Sequence, residues 1–134
     1  MRVVKTETYA VRSDADVVQV RQAVRSWSAE LRFTLVDQTK MVTAACELAR
    51  NAVVYGGGGT ARLELLDDGV RRGLRVVFED QGPGIPDIDL ALRDGFTSGN
   101  GLGLGLGGAR RLVNDFDVRS APGQGTAVTI TRWA

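Results

Sequence analysis

The sequence predicts an α/β fold: a two-layer sandwich in which one mixed, mainly antiparallel sheet carries helices on one face. Three observations lead there. Hydrophobic periodicity changes along the chain in the order strand, helix, helix, two strands, long loop, helix, two strands. Each helical segment has one apolar stripe and the strand segments alternate, so each must bury one side against the other layer. Finally, 134 residues without an internal repeat or linker composition make a single domain, residues 1–134. That length buries about two-thirds of the unfolded surface.

Residues 3–11 alternate as a strand, with Val3, Lys5, Glu7, Tyr9 and Val11 on one face. Ser13 is a predicted N-cap, and Asp14 and Asp16 complement the dipole of the first turn. Val17, Val20, Val24, Trp27 and Leu31 follow at helical spacing. Thr34 with Asp37 three residues later fits a capping box. The helix it opens is expected to reach about Val54, with Met41, Ala45, Leu48 and Ala52 along one side. Four glycines, 56–59, stop it, because glycine costs about 1 kcal/mol per residue inside a helix. Residues 60–67 and 73–80 read as two strands turning at Asp68-Gly69. Residues 82–101 form a long loop with at most a short helix at 88–93, a length typical of lids and binding loops. Leu106, Ala109, Leu112, Val113 and Phe116 give a third amphipathic helix. Two strands, 116–120 and 126–133, close the chain around a Gly/Pro turn.

Composition excludes several mechanisms. The net charge of +1 offers no strong field for nucleic acid or an anionic membrane, so neither is an expected partner. The chain contains no histidine, which removes His-based triads, His metal ligands and a self-contained phosphohistidine route. Cys46 is the single cysteine; it forms no internal disulfide and reads as a small buried residue rather than a redox switch. The first residues lack the apolar core of a signal peptide and no run approaches a membrane span, so a cytoplasmic protein is expected.

Glycine is concentrated where chemistry is expected. Nine of the 17 glycines fall between Gly82 and Gly108, and two of the three prolines lie in Asp80-Gln81-Gly82-Pro83-Gly84-Ile85-Pro86. The second cluster, Gly101 to Gly108, runs into a helix, where free N–H groups and the positive dipole end attract anions. Upstream, Glu47 and Asn51 are four apart and share a helix face beside the apolar seam. Such a pair is ordinarily a solvated surface pair; it could also supply a proton acceptor and a hard oxygen ligand for Mg²⁺. Asp80 is either a turn former before glycine or an acceptor for an exocyclic amine of a base lying over Gly82 and Gly84.

Other glycine motifs fail. Gly103-x-Gly105-x-x-Gly108 matches the dinucleotide fingerprint formally, but a loop and not a strand precedes it. No lysine follows Lys40, which excludes a Walker P-loop.

In combination, four segments resemble the gyrase/Hsp90/histidine-kinase/MutL (GHKL) ATPase superfamily. Glu47-Leu48-Ala49-Arg50-Asn51-Ala52 resembles its N box and Asp80-Gln81-Gly82-Pro83-Gly84-Ile85 its G1 box. Gly101 to Gly108 is similar to the G2 box, and Gly123-Gln124-Gly125-Thr126 to the final Gly-Thr motif. Further stretches, Asp94-Gly95-Phe96 and Arg110-Arg111-Leu112-Val113-Asn114-Asp115-Phe116, resemble the RsbT-type serine-protein kinases of bacterial partner-switching modules.

The resemblance implies a Bergerat fold binding Mg·ATP, and phosphorylation of a STAS-domain antagonist protein. A PP2C-type phosphatase or a sigma factor is implied as second partner. Residue by residue, it implies Glu47 as catalytic base or polariser and Asn51 as the Mg²⁺ ligand. Asp80 would accept from the adenine amino group, with Gly82, Gly84 and Ile85 around the base and Thr126 supporting Asp80. Gly101, Leu102, Gly103, Leu104 and Gly105 would line the phosphates. Two rivals remain at this level: a non-catalytic ATP-gated binding module and a detached histidine-kinase catalytic domain.

Overall fold

The computed structural model describes residues 1–85, 92 and 106–134. Strand β1 (Arg2–Val11) precedes two helices, α1 (Asp14–Glu30) and α2 (Leu35–Val54). Strands β2 (Gly59–Asp67) and β3 (Arg72–Asp80) follow, then helix α3 (Leu106–Arg111), β4 (Asp115–Ser120) and β5 (Thr126–Trp133). The strands form one sheet in the order β1-β2-β3-β5-β4, and all four pairings are antiparallel.

Both predicted caps form. Ser13 Oγ accepts from the Asp16 N–H at 3.3 Å, while the Asp16 carboxylate accepts from the Arg12 N–H at 2.9 Å. Thr34 Oγ1 accepts from the Asp37 N–H at 3.1 Å. The Asp37 carboxylate is turned to Arg132, 2.6 Å away in β5. One half of the expected capping box is thus joined to a tertiary ion pair.

The helical stripes and one sheet face meet in a single core. Val20, Val24 and Trp27 of α1 and Met41, Ala45 and Leu48 of α2 pack with Leu63, Leu74, Val76 and Ile130 of the sheet. Ser28 is fully buried on α1, and among the described residues its Oγ has no hydrogen-bond partner. The other sheet face carries charge: Arg75 Nε lies 2.7 Å from Glu64 Oε1, and Arg62 reaches both Glu64 and Glu79. This two-sidedness is what the one-faced alternation of the strands requires. No helix among the described residues is long and apolar enough to cross a membrane.

The third helix is shorter than its stripe. It ends at Arg111, and Phe116 stands in β4 opposite Ile130 rather than on the helix. The end is set by tertiary bonds: Asn114 donates from its backbone to the Thr131 carbonyl at 2.9 Å. Its side-chain oxygen accepts from the Trp133 N–H at 2.8 Å. Leu112, Val113 and Phe116 still pack against the core, but from a turn and a strand.

Candidate functional site

Three strands finish in register at one edge of the sheet. Asp80 of β3 opposes Thr126 of β5, which opposes Ser120 of β4. Directly opposed residues point to the same face. The next row inward on that face is Phe78, Val128 and Val118, all packed in or against the core. The helix-facing surface therefore changes from apolar to polar in one step.

Ser120 joins this row to the glycine loop. Its Oγ accepts from the Ile85 N–H at 2.8 Å, donates to the Gly125 carbonyl at 2.9 Å and lies 2.9 Å from Thr126 Oγ1. A second tie runs from the Gly123 N–H to the Pro83 carbonyl at 2.8 Å. Gly84 has φ +80°, and the Ala121 carbonyl occupies the place a Cβ would need. The β4–β5 turn by itself thus requires a glycine at this position.

Asp80 is half-buried and accepts from the Gly82 N–H at 2.9 Å through Oδ1. Burial pushes its carboxyl up, while the backbone N–H groups of Gly82 and Thr126 pull it back down.

The end of α2 sits directly on this loop. A Cβ on Gly82 would lie 2.6 Å from Gly56 Cα, and one on Gly56 would meet the Asp80 side chain, with Oδ2 at 2.7 Å. Two facing glycines let the helix end and the loop touch backbone to backbone. The Asn51 carbonyl accepts from the N–H groups of Tyr55 and Gly56 at 2.8 and 3.3 Å, so Asn51 lies one turn before the seat. Glu47 lies one further turn back and pairs with Arg50, Oε1 to Nη1 at 3.2 Å, both well exposed. Beside it Cys46 is half-buried; burial pushes its thiol up, against the opposing pull of Arg21 and Arg50.

Glu47 and Asn51 are thereby placed on α2, Asp80 and Thr126 at the end of the sheet, and Gly82, Gly84 and Ile85 in the loop that leaves it. Gly101, Leu102, Gly103, Leu104 and Gly105 lie outside the described residues, as do residues 87–100 of the expected lid apart from Leu92. Two residues escaped the sequence reading. Gly56 looked like a helix stop; Ser120 could have been found by pairing the closing hairpin outward from its turn, which sets it opposite Thr126.

The family described as Histidine kinase-, DNA gyrase B-, and HSP90-like ATPase matches residues 36–133. The Serine/threonine-protein kinase RsbT of Bacillus subtilis (strain 168) is 42% identical over 123 residues, covering 92% of this chain and 92% of that protein. An Anti-sigma F factor of Thermoanaerobacter sp. (strain X514) is 27% identical over 119 residues, 84% of this chain and 82% of that protein. In fold, the chain is similar to the RsbU and RsbW domains of Rv1364c from Mycobacterium tuberculosis. That likeness has a TM-score of 0.67 at 22% identity and covers 96% of this chain and 32% of the other.

Proposed function

The chain belongs to the histidine kinase-, DNA gyrase B- and HSP90-like ATPase family, in its branch of RsbT-type serine/threonine-protein kinases, and from that premise we propose a cytoplasmic partner-switching kinase that phosphorylates a serine or threonine of a STAS-domain antagonist. Its second partner is a PP2C-type phosphatase or a sigma factor. The relative named an anti-sigma factor supports a regulatory protein as that partner.

The observation that carries this reading is the seat of α2 on the Asp80 loop. It brings the end of the helix bearing Glu47 and Asn51 against Asp80, the first member of the polar row Asp80–Thr126–Ser120. Asp80 accepts the amino group of the base, and Thr126 supports it. Glu47 takes or polarises the proton of the acceptor hydroxyl. Mg·ATP supplies the transferable phosphoryl group and much of the countercharge; the protein's contribution is position.

The donor that this reading offers to Mg²⁺ is a single side-chain oxygen on α2. Among the described residues no group of three or more His, Cys, Asp or Glu could hold a metal alone. Mg²⁺ commonly takes only one or two protein oxygens and completes its shell with phosphate and water. Asn51 would be that ligand.

The test is transfer of labelled phosphate from Mg·ATP to the cognate STAS protein. Glu47→Ala is expected to abolish transfer while ATP affinity stays within about twofold, since the carboxylate acts on the acceptor and not on the nucleotide. Undiminished transfer would remove Glu47 from its role. One observation favours a second reading, a non-catalytic ATP-gated binding module: Glu47 is engaged by Arg50. Stoichiometric, ATP-dependent partner capture without phosphate transfer would decide for it.

A further inference from the structure

Three hydrogen-bonding groups converge on Ser120, whose hydroxyl has one proton. The Ile85 N–H can only donate to Ser120 Oγ and the Gly125 carbonyl can only accept from it, at 2.8 and 2.9 Å. Gly125 is buried, and a buried carbonyl left unpaired is costly. The Ser120 proton therefore goes to Gly125, and the 2.9 Å contact with Thr126 Oγ1 must be donated by Thr126. The Thr126 proton is spent inside the sheet edge. Its oxygen then offers only lone pairs beside Asp80, itself an acceptor when ionised.

We propose that Ser120 is a positioning residue for base selectivity: by fixing the Thr126 hydroxyl as an acceptor, it makes the Asp80–Thr126 pair select a 6-amino purine over a 6-oxo purine. The inference rests on the ATP-binding reading above. A 6-amino ring presents N–H groups to these acceptors. A 6-oxo ring could give its ring N–H to Asp80, but its oxygen then needs a donor, which Thr126 cannot supply. Removing Ser120 Oγ frees the Thr126 proton to serve as that donor.

The experiment measures the dissociation constants of Mg·ATP and Mg·ITP for the full chain and for Ser120→Ala, Thr126→Val and the double variant. Ser120→Ala is expected to narrow the ITP:ATP ratio by about tenfold. The double variant should show the ratio of Thr126→Val alone, since Ser120 acts through that hydroxyl. Equal weakening of both nucleotides in Ser120→Ala, or additive ratios in the double variant, would overturn the proposal and leave Ser120 a structural tie. Failure of the unaltered chain to bind either nucleotide would overturn the ATP reading itself. Should Ser120→Ala not fold, Ser120→Cys keeps the side-chain shape with a weaker acceptor, and its ITP:ATP ratio decides in the same way.

Discussion

Asp80 combines burial with the charge that the proposed base contact would use. Its carboxyl is pushed up by desolvation, only partly offset by the N–H groups of Gly82 and Thr126. A folded-state pKa above the unfolded one means that the ionised group opposes folding at neutral pH. The opposition is relieved as pH falls through the folded pKa toward the unfolded value near 4. Asp80→Asn removes the charge and keeps an oxygen for the Gly82 N–H. The nucleotide-free variant is expected to melt above the parent at pH 7 to 8, with the gap closing as pH is lowered toward 4. The same change exchanges a charged acceptor for a neutral amide, and ATP affinity should fall about 10- to 100-fold. Thermal melts across pH together with ATP titrations check both halves; a variant that melts lower at pH 7 would contradict the first.

Among the elements, β5 does the most joining. Arg132 near its end is mostly buried, its Nη2 2.6 Å from Asp37 in the first turn of α2 and its Nη1 2.9 Å from the Leu112 carbonyl just past α3. Arg132→Ala strands a carboxylate and a carbonyl together. Asp37 keeps 30% of its side-chain exposure, so the loss should fall below that of a fully buried pair, about 2 kcal/mol. Arg132→Lys should recover only part, because one ammonium replaces a fork that reaches both partners. Urea unfolding at constant m measures each. The caps at Ser13 and Thr34 were legible because their partners lie three residues away. The partner of Asp37 lies 95 residues away and was not. The end of α3 was hidden for a related reason. Leu112, Val113 and Phe116 are apolar in helix, turn or strand alike, and the Asn114 bonds that choose between them reach Thr131 and Trp133.

Across the whole molecule, legibility divides between the residues proposed to carry chemistry and the residues that bring those together. Glu47, Asn51, Asp80 and Thr126 stand at spacings that can be read along the chain. Ser120 acquires its role only when β3, β5 and β4 end in register, and Gly56 only when α2 is set down on the Asp80 loop. The second contact yields the prediction that most directly joins fold to function. A ligand held only by the folded state at 100 times its dissociation constant stabilises by about 2.7 kcal/mol. For a domain of this size that raises the melting temperature by about 10 °C. Glu47→Ala should keep this shift under Mg·ATP, since the proposed role of Glu47 is on the acceptor and not on the nucleotide. Gly56→Ala should lose most of it, because the added methyl group meets the Asp80 side chain. Scanning fluorimetry with and without nucleotide reads both variants in one experiment. A full shift in Gly56→Ala would mean that Asp80 is positioned by the sheet edge alone, and that the seat of α2 sets only the helix.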